Sequence, residues 1–165
     1  LLGLPYPGGP HVDTLAKSGN GERFAFSKPK TENELDFSFS GLKTSILYFL
    51  QKEQKANENF ITENLEDICA SIQKTIVDIL LSKLLLASKT TGIRHIAIAG
   101  GVSANSGIRQ ALRDAESKYG WTTYIPKFAY TTDNAAMIGI TAYFKHLKGD
   151  FSDLSMIPLT RMSVA

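Results

Sequence analysis

The stretch HIAIAGGVSAN, residues 95–105, decides how the rest of this chain is interpreted. Its apolar first part is typical of a short strand that is buried on both faces. Gly100 and Gly101 end the run and let a ligand approach the backbone without meeting a Cβ. Ser103 or Asn105 can then cap a helix whose free N–H groups favour an anion. The stretch predicts a phosphate-sized site, and a plain strand-to-helix turn is the equal alternative.

Hydrophobic periodicity predicts the elements on either side of this stretch. In chain order they are a helical turn within 11–21, strands at 23–26 and 35–39, helices at 40–55 and 62–90, a strand at 96–99, a helix ended by Gly120, a strand at 121–126 and a helix that stops before Gly149. Thr132 or Asp133 is the expected N-cap of the last helix. Strands that alternate with helices imply an α/β arrangement with a mixed sheet. The turns at 100–105 and 130–134 are expected to share one edge of that sheet, where ligands bind.

Composition limits the function classes. The chain has 165 residues, a net charge of +2 and 43% hydrophobic residues, and its Lys and Arg residues are spread along it. These values neither support nor exclude a nucleic-acid partner. The single Cys69 rules out an internal disulfide. We expect a cytoplasmic protein without a membrane segment, because no run reaches the ~20 apolar residues that a membrane helix needs.

Familiar catalytic motifs are missing from the sequence. It has no His-Glu-x-x-His or Cys-x-x-Cys zinc spacing, no Walker loop and no Gly-x-Gly-x-x-Gly. Asp133 is the only carboxylate in a predicted site loop, where it can bind a metal, position an acid or base, or cap its helix. The proline- and glycine-rich residues 4–10 suit either a loop against a ligand or a connecting turn. The residues alone therefore indicate an α/β module that binds a phosphorylated ligand.

Four longer motifs carry a resemblance to a known family. LGLPYPGGP (2–10), DFSFSGLKT (36–44), AGGVSAN (99–105) and TDNAAMI (132–138) follow one another in this chain. Together they closely resemble the TsaD family, also called Gcp and formerly described as O-sialoglycoprotein endopeptidases. The resemblance covers nearly the whole chain but only the C-terminal half of the family's usual length.

The resemblance implies an actin-like ATPase (ribonuclease H-like) fold, of which this chain is mainly the second lobe. Residues 1–165 would form that C-terminal lobe, and the N-terminal lobe would be absent. Within it we expect an inserted or lobe-linking segment in 1–60, core βα units in 61–150 and a tail at 151–165.

The family reaction moves a threonylcarbamoyl group from threonylcarbamoyl-adenylate to N6 of the adenine next to the tRNA anticodon. The resemblance implies that Gly9 and Asn105 contact ATP or the adenylate and that Asp133 binds one divalent metal, iron or zinc. The glycines at 100 and 101 would let phosphate approach. Expected partners are tRNA and the other proteins of the threonylcarbamoyladenosine pathway.

Part of the family's pattern has no match here. The His-x-x-x-His-type pair that supplies the remaining metal ligands belongs to the N-terminal half, and a substrate-contacting Asp would lie just upstream of Leu1. One carboxylate does not hold a catalytic metal alone. We therefore expect an inactive fragment of an acyltransferase. The alternatives are a nucleotide-binding or partner-docking lobe without catalysis, the glycoprotease of the old family description, and a kinase of the same fold.

Overall fold

The computed structural model describes residues 1–29 and 31–157. Its helices are α1 (Gly8–Ala16), α2 (Ser40–Ala56), α3 (Phe60–Glu63), α4 (Leu65–Thr91), α5 (Ser106–Tyr119) and α6 (Ala135–Leu147). Its strands are β1 (His95–Ala97) and β2 (Thr122–Tyr124). Two 3-10 turns occupy Gly101–Ala104 and Phe128–Tyr130. The chain divides into two compact units, Leu1–Thr131 and Thr132–Ala165. None of the described helices is both long enough and apolar enough to cross a membrane. The predicted tail at 151–165 lies outside the described residues from 158 onward.

Helix α4 is the central element of the first unit, and its predicted range, 62–90, is largely confirmed. Apolar residues on one side of α4 pack in a core with α2 and the segment around Phe26. Apolar residues on its other side pack in a second core with α5, the sheet and Trp121. Gly92 ends α4 in a left-handed conformation, at φ 72°, which glycine adopts without a Cβ clash. Cys69 is fully buried in α4, and this burial raises the pKa of its thiol, as expected of a structural cysteine.

The residues before α2 are held against α4 by close contacts. A Cβ on Gly19 would lie 2.1 Å from the carbonyl oxygen of Glu66, so only glycine fits there. Asp67 accepts hydrogen bonds from the Asn20 N–H and the Arg23 guanidinium, each at 2.6 Å. The Asn20 N–H and, next, Arg23 lower the pKa of this carboxyl.

The sheet is smaller than predicted. In the described part of the chain β1 and β2 form one parallel pair, with Ile96 opposite Thr123. The predicted strands at 23–26 and 35–39 are wrong, because a strand needs a hydrogen-bonded neighbour and the described residues provide none for either segment. Phe37 and Phe39 instead stack on each other at 6.1 Å and stay half exposed.

Strand β1 was expected to be buried on both faces, and this expectation is wrong. Ile96 and Ile98 pack on the second core, whereas His95 and Ala97 are exposed on the opposite face. The cause is that α4 and α5 cover one face of the pair, while no described residue buries the other. On that face His95 Nδ1 lies 3.1 Å from the Tyr124 hydroxyl.

Candidate ligand-binding turn

The glycine turn leads from β1 into α5. Gly100 has φ 79° and ψ 177°, a conformation that residues with a side chain rarely adopt. A 3-10 turn follows, in which the Ser103 N–H and hydroxyl both donate to the Gly100 carbonyl, at 3.0 and 2.7 Å. A Cβ built on Gly100 or on Gly101 meets no atom within 4 Å. The turn is therefore open on its outer side, and packing does not explain the missing side chain of Gly101.

Asn105 is the N-cap of α5. Its Oδ1 accepts a hydrogen bond from the Ile108 N–H at 2.9 Å, and this confirms one of the two predicted caps. Its Nδ2 donates to Oε1 of Gln73, on α4, at 2.8 Å. The side-chain amide is thus fixed from two sides, by its own helix and by the central helix.

Asp13 is a member of this site that the sequence analysis missed. Its Oδ1 accepts from the Ser106 N–H at 3.0 Å and from the Ser106 hydroxyl at 2.7 Å. The prediction that α5 offers free N–H groups to an anion is therefore wrong for two of its first amides. The chain's own carboxylate takes the N–H of Ser106, and the side chain of Asn105 takes that of Ile108. No local signal reveals this, because Asp13 and Ser106 are 93 residues apart.

Arg109 connects the glycine turn to the segment after β2. It is buried, with 7% of its surface exposed, and donates to the carbonyls of Ser103 at 2.8 Å and Pro126 at 2.6 Å. Its guanidinium also lies 4.4 Å from the centre of the Phe128 ring. No carboxylate pairs with Arg109 among the described residues. This side chain satisfies backbone carbonyls at two neighbouring strand ends and so fixes one loop against the other.

Gly9 lies at the start of a helix and not in a loop. Helix α1 begins at Gly8, three residues earlier than the predicted start at 11, so the Pro-Gly-Gly motif forms its first turn. Pro10 suits this position, since the first helical residues have no intrahelical acceptor for their N–H groups. A Cβ on Gly9 would meet no atom within 4 Å.

Asp133 belongs to the second unit and precedes α6. Neither Thr132 nor Asp133 caps this helix, because the cap is Asn134, whose Oδ1 accepts from the Met137 N–H at 3.2 Å. Asp133 is exposed, and its carboxylate accepts no hydrogen bond from any described residue. Within residues 1–29 and 31–157 no three His, Cys, Asp or Glu residues come together as a metal site. The structure therefore provides one free carboxylate there.

Comparison with known proteins decides the family. The family model described as TsaD, tRNA N6-adenosine threonylcarbamoyltransferase, matches residues 1–140. The chain belongs to the TsaD family. It is 60% identical to a relative from Christiangramia forsetii over 161 residues, which are 98% of this chain and 47% of that protein.

Two other TsaD relatives are those of Riemerella anatipestifer and Porphyromonas gingivalis, at 53% and 51% identity. All three relatives carry the name tRNA N6-adenosine threonylcarbamoyltransferase. The chain spans about half the length of these relatives, and the matched part is their C-terminal half. The roles that the TsaD resemblance assigns to Gly9, Gly100, Gly101, Asn105 and Asp133 stay predictions.

Proposed function

We propose that this chain forms the C-terminal half of the adenylate cleft of a tRNA N6-adenosine threonylcarbamoyltransferase. The full-length protein would transfer the threonylcarbamoyl group from threonylcarbamoyl-adenylate to N6 of the adenine beside the tRNA anticodon. The observation that carries the proposal is the family match over residues 1–140, which includes the open glycine turn. The fold would be mainly the second lobe of an actin-like ATPase, with an inserted or lobe-linking segment within residues 1–60, core βα units in 61–150 and a tail at 151–165. The protein would act in the cytoplasm with tRNA and the other proteins of the pathway.

The residues of the turn suggest how the ligand lies. Because the chain's own side chains occupy the N–H groups of Ser106 and Ile108, we place the phosphate against the backbone of Gly100 and Gly101. One Nδ2 hydrogen of Asn105 bonds to Gln73, and the other has no acceptor among the described residues. That second hydrogen would donate to the nucleotide. Gly9 would approach the ligand through the first turn of α1, where no Cβ blocks the backbone.

The implied metal fits Asp133 as one ligand of several. A carboxylate that neither caps a helix nor accepts a hydrogen bond in the described part of the chain is available to iron or zinc. The further ligands would come from the other half of the full-length protein. When bound, such a metal would supply Lewis acidity to the transfer reaction.

The binding test uses a joined protein, in which this chain follows the N-terminal half of the Christiangramia forsetii relative. We expect the joined protein to bind ATP and Asn105→Ala to weaken that binding about tenfold, the loss of one good hydrogen bond. The control is Gln110→Ala, on the exposed side of the same helix, which should leave affinity unchanged. Equal ATP affinity in the Asn105→Ala and parent proteins would contradict the proposed role.

The metal test measures bound iron and zinc in the same joined protein by elemental analysis. We expect about one divalent ion per chain, and its loss in Asp133→Ala. The matched control is Asp150→Ala, since Asp150 forms a surface ion pair with Lys145 in the same unit. Metal retained in Asp133→Ala would remove Asp133 from the ligand set.

A nucleotide-binding or docking lobe without catalysis is the second candidate. One observation favours it, the exposed apolar side chains along α6, where Ile138 is 74% and Leu147 62% exposed. Such a surface is typical of a helix that another polypeptide covers. A joined protein that binds ATP but transfers no threonylcarbamoyl group would support this candidate.

A further inference from the structure

Asn105 makes two structural hydrogen bonds through one small side chain. The bond from the Ile108 N–H holds Oδ1, and the bond to Gln73 Oε1 holds Nδ2. The terminal torsion of an asparagine is broad and roughly two-fold, so a cap bond alone leaves the amide plane loosely defined. An acceptor on the nitrogen side fixes this plane and also fixes which end is nitrogen.

Gln73 reaches Asn105 because the first turn of α5 carries a glycine. A Cβ on Gly107 would lie 2.7 Å from Gln73 Nε2 and 3.1 Å from its Cδ. Any other residue at 107 would displace the Gln73 side chain. The backbone itself does not require glycine here, since Gly107 does not have a positive φ. Gly107 is therefore explained by the passage of Gln73 across α5.

We propose that Gln73 is a positioning residue of the candidate site, which orients the Asn105 amide so that its second Nδ2 hydrogen is presented to the nucleotide. Gln73 does not itself touch the ligand in this assignment. The proposal rests on the proposed function for the identity of the ligand. The contact between the two amides stands independently of it.

The first experiment observes the Asn105 side-chain amide by NMR in the 165-residue chain. With the Gln73 acceptor present, the bonded Nδ2 hydrogen should have a shift displaced from that of a free primary amide and should exchange slowly with water. Gln73→Met keeps the side-chain length but removes the acceptor, so the two signals should approach those of a free amide. Gln73→Glu keeps an oxygen at this position and should restore the parent pattern. The exposed amide of Gln110 serves as the internal control and should not change in either variant.

The second experiment measures ATP affinity in the joined protein by a double-mutant cycle. Gln73→Met should weaken binding about tenfold, which corresponds to one hydrogen bond. In the Asn105→Ala background the same substitution should have no further effect, because the side chain that Gln73 orients is gone.

Each outcome decides one question. A change of the Asn105 amide signals to free-amide values in Gln73→Met, with recovery in Gln73→Glu and a non-additive cycle, supports the positioning role. Unchanged amide signals in Gln73→Met overturn it, and so does an equal loss of affinity with and without Asn105. A parent joined protein that binds no ATP contradicts the proposed function, and the NMR result still decides whether Gln73 orients Asn105.

Discussion

Replacing Gly107 by alanine separates two opposing effects whose sizes follow from the structure. The new Cβ would stand 2.7 Å from Gln73 Nε2, closer than real contacts allow, and the flexible end of Gln73 would move away. This movement costs the Gln73–Asn105 hydrogen bond, about 1 kcal/mol. Against it, alanine stabilises a helical position by about 0.5–1 kcal/mol relative to glycine. The free energy of unfolding of Gly107→Ala should therefore equal that of the parent within about 0.5 kcal/mol, the difference of these two terms.

The same substitution should have a clear effect once Gln73 is removed. In a Gln73→Ala background the three nearest atoms to this Cβ, all of them Gln73 atoms, no longer crowd it. Gly107→Ala should then stabilise the first unit by about 0.5–1 kcal/mol. The expected coupling free energy between the two positions is about 1 kcal/mol, the hydrogen bond that the single variant loses.

The assay is urea unfolding followed by the fluorescence of Trp121, the single tryptophan. Trp121 is buried in the second core with α5 and so reports on the first unit. The four proteins should share one m-value, so that differences in midpoint measure stability. Equal stabilisation by alanine in both backgrounds would refute the assigned packing of Gln73 over Gly107.

Three further predictions concern side-chain contacts within the first unit. Asp13→Ala should lower the free energy of unfolding of the first unit by about 2 kcal/mol, because Ser106 and the start of α5 lose a charged acceptor. Urea unfolding measures this free energy, and an unchanged midpoint would contradict the contact. Arg109→Met should speed amide hydrogen exchange at residues 101–105 at least about tenfold, the effect of losing ~1.4 kcal/mol of local stability. Exchange as slow as in the parent would contradict the role of Arg109 in holding the glycine turn. The pKa of Glu116 is lowered by hydrogen bonds from a threonine of β2, side chain first and then backbone. Its contribution to stability is therefore present above the unfolded-state pKa of about 4.3 and is lost as the pH falls through the lowered pKa. Glu116→Gln should be less stable than the parent at pH 7 in thermal unfolding, and the difference should shrink as the pH falls through that lowered pKa. A difference that grows on acidification would contradict the assignment.

The sequence predicts the helices of this chain better than its strands. Helix α4 is recognisable because apolar residues recur every three to four positions over seven turns and a glycine follows. The alternation at 35–39 is a weaker signal for a strand. A period of two indicates that one face is buried, but it does not show whether another strand is available to pair with the segment. Phe37 and Phe39 show the result, an alternating segment without a strand. For the same reason the exposed face of β1 could not be predicted, because it depends on which elements cover the sheet.

The candidate site was predictable only in its local part. Gly100 forms a turn with positive φ, and Asn105 caps a helix. Both roles depend on residues only a few positions away, so the local sequence suffices to predict them. Asp13 and Gln73 reach the turn across 93 and 32 residues. Their chemistry gives no local hint, because a carboxylate or an amide on an amphipathic helix usually faces solvent. Tertiary packing alone brings them to the turn, and it also places the Asp13 carboxylate of α1 at the N-terminus of α5.

Transfer of the threonylcarbamoyl group to tRNA is the measurement that most directly tests the central claim, that this chain carries half of the site. The assay supplies threonylcarbamoyl-adenylate and tRNA and quantifies the modified adenosine. It compares the isolated chain, the joined protein and the joined protein with Asn105→Ala. We predict no product from the isolated chain, product from the joined protein, and a loss of about tenfold or more in the Asn105→Ala variant when the adenylate is below saturation. Product from the isolated chain would contradict the account, and so would an Asn105→Ala variant as active as its parent.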